Sequence, residues 1–205
     1  DWWAKCSQPF FNEISHTPLF IWDPRSRVKG KKRSSLVQTI DLAPTLLDYF
    51  KVNRPASMQG FALASTIADD TACREAGLFG MFGGHVNVTD GRYVYMRAAA
   101  TPENSPLFEY TLMPTHMRGL FETDELQDIR LAEPYSFTKG CRTMKIASRA
   151  AANVQRFGTM LFDTQSDPAQ ETPLSHPETE KRMITLMVEL MKANDAPEEQ
   201  FVRLG

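Results

Sequence analysis

The feature that most constrains this chain is a four-residue apolar run fenced by prolines, Leu19-Phe20-Ile21-Trp22, between Pro18 and Asp23-Pro24-Arg25. Continuous rather than alternating hydrophobicity marks a strand covered on both faces, so the run predicts a short core strand in a layered sheet. Pro18 suits the first position of such a strand, where its missing N–H costs little. The polar, aromatic-rich segment before it then places Lys5 and His16 on a loop entering the core, a common setting for functional side chains.

A helix follows. Asp41 is placed to cap it, Pro44 falls in its first turn, and Leu42, Leu46, Tyr49 and Phe50 recur at helical spacing as a stripe expected to pack on the sheet. Asn53-Arg54-Pro55 ends it. The basic stretch 25–36 reads as a solvated connection, with electrostatic attraction of anionic substrates as the alternative. A short helix or irregular segment is expected over 62–70, and Asp69-Asp70-Thr71 as a solvated turn without the third ligand a metal would need.

From Glu75 the pattern becomes that of strands. Residues 77–82 form an apolar run, and 85–97 read as a hairpin turning at Asp90-Gly91 through a type I′ turn. Residues 107–112 supply a further strand, so a small antiparallel sheet is expected as a separate layer. Residues 122–133 predict an amphipathic helix capped by Thr123, with Leu126, Ile129 and Leu131 inward and Pro134 as its stop. Residues 139–142 read as a loop, 147–157 as a candidate helix and 158–163 as the last strand. Asp167-Pro168 begins a turn, and a capping box of Ser175 and Glu178 opens the final helix, with Pro177 in its first turn. Met183, Leu186, Met187, Leu190 and Met191 line one face. That stripe suits either an oligomer contact or the subdomain's own sheet, with the sheet favoured. The end, from Asn194 to Gly205, reads as an arm toward another subunit of a homo-oligomer.

With 205 residues, 42% hydrophobic and 23% charged, the chain can bury a substantial core. A formal net charge of −2 argues against nucleic acid or an anionic membrane surface as the main partner. No apolar run reaches the roughly 18–20 residues of a membrane-spanning helix. Three widely spaced cysteines make no disulfide framework and lean toward a reducing, cytoplasmic setting.

Three phrases carry a family resemblance. Lys5 and its loop lead into His16-Thr17-Pro18-Leu19-Phe20-Ile21-Trp22-Asp23-Pro24-Arg25. Asp41-x-x-Pro44-Thr45-Leu46-Leu47-Asp48 is followed by Met58-Gln59-Gly60, and Gly158 to Asp163 is followed by Asp167-Pro168. Together they resemble the C-terminal half of a sulfatase, of the alkaline-phosphatase-like superfamily. The resemblance implies the end of an α/β sheet domain over 1–72. A C-terminal α+β subdomain over 73–205 would then carry an antiparallel sheet and a packed helix. It implies hydrolysis of a small-molecule sulfate ester by a formylglycine nucleophile beside a divalent metal, calcium or manganese. Lys5 matches the family's lysine, a cation for the charge developing on the sulfuryl oxygens. The nucleophile phrase Cys/Ser-x-Pro-x-Arg is missing. Cys6 does not supply it, because Pro9 is misplaced and no arginine follows. The metal-binding Asp-Asp pair is missing too, so the chain is expected to begin just after the catalytic metal site and to be inactive alone.

His16 stands before the strand proline as a loop-ordering or substrate-binding residue. His85 and His116 are substrate-contact or general-acid candidates, each set against a partly buried, backbone-bonded alternative. A phosphodiesterase or phosphonate monoester hydrolase of the same scaffold, and a non-catalytic assembly or binding module, remain open.

Overall fold

The computed structural model describes residues 9–148 and 153–205. Two antiparallel sheets with helices around them make a mixed α/β architecture, and the strands of both sheets lie beyond Ala76. The first sheet contains β1 (Gly77–Gly80), β2 (Val86–Thr89), β3 (Tyr93–Arg97) and β7 (Met160–Asp163), in the order β1-β2-β3-β7. The second contains β4 (Phe108–Thr111), β5 (Arg130–Ala132) and β6 (Thr143–Ala147), in the order β4-β6-β5. The helices are α1 (Asn12–Ser15), α2 (Leu42–Tyr49), α3 (Ala64–Asp69), α4 (Pro177–Ala193) and α5 (Glu198–Leu204).

The first sheet is buried on both faces, which its alternation makes possible. Val88 pairs with Tyr95 and Tyr95 with Leu161. These side chains meet Met183, Met187 and Met191 of α4 and Leu204 of α5. The opposite face carries Val94 opposite Phe162 and Met96 opposite Met160, closed by Phe11, Phe79 and Phe157. The methionine stripe is thus spent on the chain's own sheet, the favoured expectation. Its helix starts one residue later than the capping box implied: His176, not Ser175, is the N-cap, and its Nδ1 accepts the Thr179 N–H at 3.2 Å. Pro177 then takes the first helical position, where its missing N–H is harmless.

Several expectations are overturned. Residues 19–22 form no strand, and Phe20 and Trp22 are 93% and 81% exposed. Among the described residues, both sheets draw their strands from later in the chain, so this run has no edge to pair with. Residues 122–133 form no helix. Successive turns bond Glu125 N–H to Glu122 O and Ile129 N–H to Leu126 O, and residues 130–132 become β5 because β6 offers them a ladder. Leu126, Ile129 and Leu131 stay exposed. The hairpin forms, but Asp90 pairs with Tyr93 and the turn sits on Gly91-Arg92, with only Gly91 at positive φ (92°). Type I′ requires positive φ at both central residues, and an arginine does not adopt it readily. Asp90 stays outside the turn because its Oδ1 accepts the N–H groups of Arg92 and Tyr93.

In place of a helix over 147–157, β6 runs to Ala147 and a single 3-10 turn spans Val154–Arg156; residues 149–152 lie outside the described residues. The C-terminal segment is no free arm. It folds into α5, and the Arg203 Nη1 donates to Asn104 Oδ1 (2.8 Å) and to Gly84 O (3.2 Å) while Arg97 grips the Leu204 carbonyl. No helix among the described residues is long and apolar enough to cross a membrane.

Candidate functional site

The chain's most specific phrase folds into a buried polar knot. Asp41 is fully buried, and its Oδ2 accepts the Gln38 N–H at 2.7 Å while Oδ1 accepts the Phe61 N–H at 2.8 Å. The Arg74 guanidinium closes an ion pair with the same carboxylate and also bonds Gln38. Asp41 was expected to cap α2, but its side chain makes no cap bond there; it closes the capping box of the preceding 3-10 turn (Thr39–Asp41) and ties that turn to Phe61 and Arg74 instead. Thr45 extends the knot, donating to Asp41 O at 2.5 Å and accepting the Leu63 N–H at 3.0 Å. Gly60 passes so close that a Cβ there would stand 2.4 Å from Ile40 O, at a φ of +88° that only glycine tolerates well. Asp41, Thr45 and Gly60 therefore have a shared structural reason. Arg74, their counter-charge, has no sequence signal because it lies 33 residues away from Asp41 in a stretch without periodicity.

The loop of residues 16–25 is anchored at its far end. Asp23 is buried and takes a two-pronged bond from Arg25, whose Nε reaches Oδ1 at 3.0 Å and Nη2 reaches Oδ2 at 2.7 Å. The same guanidinium bonds Asp48 at 2.9 Å and lies 4.8 Å over the Tyr49 ring, tying the loop to the end of α2. Arg25 holds the Asp23 carboxyl below its ordinary value, so it stays ionised. His16 is exposed where α1 ends. Lys5 and Cys6 lie outside the described residues.

Helix α2 turns its apolar stripe outward, against expectation. Leu46 is 58% and Phe50 68% exposed, Leu42 and Tyr49 are also exposed, and the buried positions are Pro44 and Thr45. The polar knot claims the inner side of the helix, so the stripe faces solvent. Ile40, Phe61 and residues 19–22 are exposed apolar residues as well.

The two central histidines flank strands of different sheets. His85 enters β2, is buried, and bonds Gly158 O through Nε2 at 2.8 Å, while its Nδ1 has no partner among the described residues. Burial holds its pKa below 6.5, so the ring is neutral at pH 7 and serves the fold. His116 follows β4, with Nε2 3.0 Å from Glu125 and Nδ1 3.5 Å from Glu109, its ring 4.2 Å from that of Phe121. The N–H of Glu122 and the His116 ring keep the Glu125 carboxyl low. No bond or ring contact among the described residues joins His16, His85 and His116.

The Asp69-Asp70 turn is exposed but not idle. Asp70, in the left-handed region (φ 62°), accepts the N–H groups of Ser34 and Ser35, which hold its carboxyl well below the usual range. Arg33 donates to the carbonyls of Ile67 and Ala68 at the end of α3. The basic stretch is thereby fastened down at its C-terminal end. No group of three His, Cys, Asp or Glu side chains converges among the described residues.

Comparison with known proteins gives this arrangement a family. Residues 2–134 match the model of the N-sulphoglucosamine sulphohydrolase C-terminal family. The chain belongs to that family, a C-terminal unit of sulfatases. It is similar to an arylsulfatase of Clostridium perfringens (strain 13 / Type A), 31% identical over 70 residues, which cover 33% of this chain and 14% of that protein. A solved structure from work on the metabolism of multiple glycosaminoglycans by Bacteroides thetaiotaomicron aligns with 81% of this chain and 27% of its own, at 15% identity and a TM-score of 0.47. The matched regions thus span only about a seventh and a quarter of those relatives.

Proposed function

We propose that this chain is the C-terminal portion of an enzyme that hydrolyses sulfate esters, and that its catalytic portion covers the exposed apolar surface. The observation that carries the proposal is that surface: Leu19–Trp22, Ile40, Leu42, Leu46 and Phe50 face solvent beside a first sheet that is packed on both faces. Arg25, bonded to Asp48, brings the 16–25 loop to the end of α2, and exposed apolar residues gathered in this way mark an interaction face. The family membership and the similarity to an arylsulfatase supply the chemistry.

In this reading Lys5 offers its ammonium to the sulfuryl oxygens as negative charge grows on them. His16 orders the loop behind it, and the Asp23–Arg25–Asp48 clamp fixes that loop against α2. The nucleophile and the divalent metal, calcium or manganese, belong to the other portion. The metal would polarise the ester there.

The test is hydrolysis of 4-nitrophenyl sulfate. The purified 205-residue chain is expected to turn over neither this substrate nor 4-nitrophenyl phosphate, with or without added calcium or manganese. Fusion to a sulfatase catalytic portion is expected to give metal-dependent turnover, which Lys5→Ala lowers by about 10²–10³-fold in kcat/KM. Turnover by the isolated chain, or a fused protein indifferent to Lys5→Ala, overturns the reading.

A further inference from the structure

The Asp167-Pro168 phrase builds the turn that follows β7. The Asp167 carboxylate accepts the N–H groups of Glu171 at 3.1 Å and Thr172 at 2.9 Å, and its carbonyl accepts the Gln170 N–H at 3.1 Å. That turn presents Gln170 to the other end of the chain, where its Oε1 accepts the Asn12 N–H at 2.6 Å, across 158 residues of sequence. Beside this bond Phe11 meets Phe162 of β7 edge-on at 5.9 Å, and Pro9 is fully buried. The segment from Pro9 to α1 is thus seated on the first sheet by its last strand and the turn beyond it.

Gln170 is a costly residue for that turn. It lies in the left-handed region at φ 54°, which residues other than glycine, asparagine and aspartate seldom adopt. Its long side chain is 5% exposed and so loses rotamer freedom, and its Nε2 is buried with no hydrogen-bond partner among the described residues. A glycine would make the same backbone turn without these penalties. What the glutamine adds is one acceptor, placed where α1 begins and backbone N–H groups have no helical partner. Local costs of this kind persist where the geometry they secure is used.

We infer that Gln170 is a positioning residue for the hydrolytic reaction: it fixes the direction in which the chain enters this unit and, through it, the Lys5 ammonium. Pro9 stands four residues after Lys5, so at most about 14 Å of extended chain separates a seated residue from that cation. Apolar contacts such as that of Phe11 hold the segment on the sheet but are non-directional, whereas a hydrogen bond sets an angle. A displacement of about 1 Å at a catalytic group can lower a rate by about 10²-fold. The inference rests on the sulfate-ester reading, which supplies the role of Lys5.

The test pairs two measurements. In the full ¹⁵N-labelled 205-residue chain, Gln170→Met removes the acceptor and the unpartnered donor while keeping the length of the side chain. Hydrogen exchange at the Asn12 amide is expected to quicken about fivefold, with a urea midpoint no lower than that of wild type. Gln170→Glu, which restores an acceptor, is expected to return exchange to within about twofold of wild type. In the fusion to a sulfatase catalytic portion, Gln170→Met is expected to lower kcat for 4-nitrophenyl sulfate by about 10-fold to 100-fold with KM little changed. Added to Lys5→Ala it is expected to lower kcat no further, because the cation it positions is gone. The inference is overturned by Asn12 exchange that Gln170→Met leaves unchanged, or by losses that add in the double variant. A fused enzyme that needs Lys5 but not Gln170 overturns this inference alone; one indifferent to Lys5→Ala overturns the sulfate-ester reading with it.

Discussion

Arg74 is the residue on which the buried Asp41 depends. A carboxylate out of water is tolerable only with its counter-charge and hydrogen bonds in place. Replacing Arg74 by Met leaves that charge unpaired, and urea unfolding is expected to show a loss of about 3–5 kcal/mol. Removing both charges together, with Asp41→Asn added, is expected to recover part of that loss, because no uncompensated ion then remains. His85 offers a second check at this scale. Burial depresses its folded pKa below 6.5, so in the window just under 6.5 the unfolded chain holds a proton that the folded chain does not. Stability is therefore expected to be full above about pH 7 and to fall as the pH drops through 6.5 toward the folded value. In His85→Gln that part of the slope should vanish from a series of urea titrations between pH 5 and 8. A slope unchanged by the substitution would mean that another group titrates there. Asp41 was visible in the sequence, but its role was not: a capping position looks the same whether the carboxylate serves its own helix or a distant arginine.

Among the elements, α4 and α2 make an instructive pair. Both carry apolar residues at helical spacing and both were expected to pack on a sheet. The methionines of α4 do so, with Met183 wholly buried, whereas the stripe of α2 faces solvent. Truncation should separate them. Met187→Ala is expected to cost about 2–5 kcal/mol, the usual range for a buried side chain of that size, while Leu46→Ala should change the stability of the isolated chain by less than about 0.5 kcal/mol. Comparable losses at both sites would show that α2 is buried after all. The hairpin, the last strand and the final helix were legible because local signals agree there: period-two or helical patterning, a glycine at the turn, a proline at N1. Residues 122–133 misled because their apolar spacing is helical while their partner is β6, which lies later in the chain. Periodicity reports which side of an element is apolar and cannot report which strand will bond to it.

For the molecule as a whole, the first sheet and the N-terminal loop with α2 stand at opposite extremes of packing. One sheet is sealed on both faces, while Leu19–Trp22 and the outer face of α2 stay uncovered. A surface of this kind is expected to drive association of the isolated chain as its concentration rises. Phe20→Ser combined with Leu46→Ser should shift sedimentation toward the monomer without lowering the unfolding midpoint. In the fused enzyme the same pair should weaken the joint and reduce activity. A double variant that sediments like wild type would remove this surface from the account.

The sequence by itself determined the family, the antiparallel character of the second part, the main hairpin and the methionine face of α4. These follow from motifs and from patterning along short stretches of chain. Only the tertiary structure decided that Arg74 neutralises Asp41, that residues 19–22 have no strand to join among the described residues, that the C-terminal segment folds back under Arg97, and that Tyr135 and Phe137 share a groove with Asn194–Pro197. Each of these depends on a partner tens of residues away or more. Charge pairing, sheet pairing and burial are properties of two surfaces meeting, and a pattern read along one segment describes only one of them.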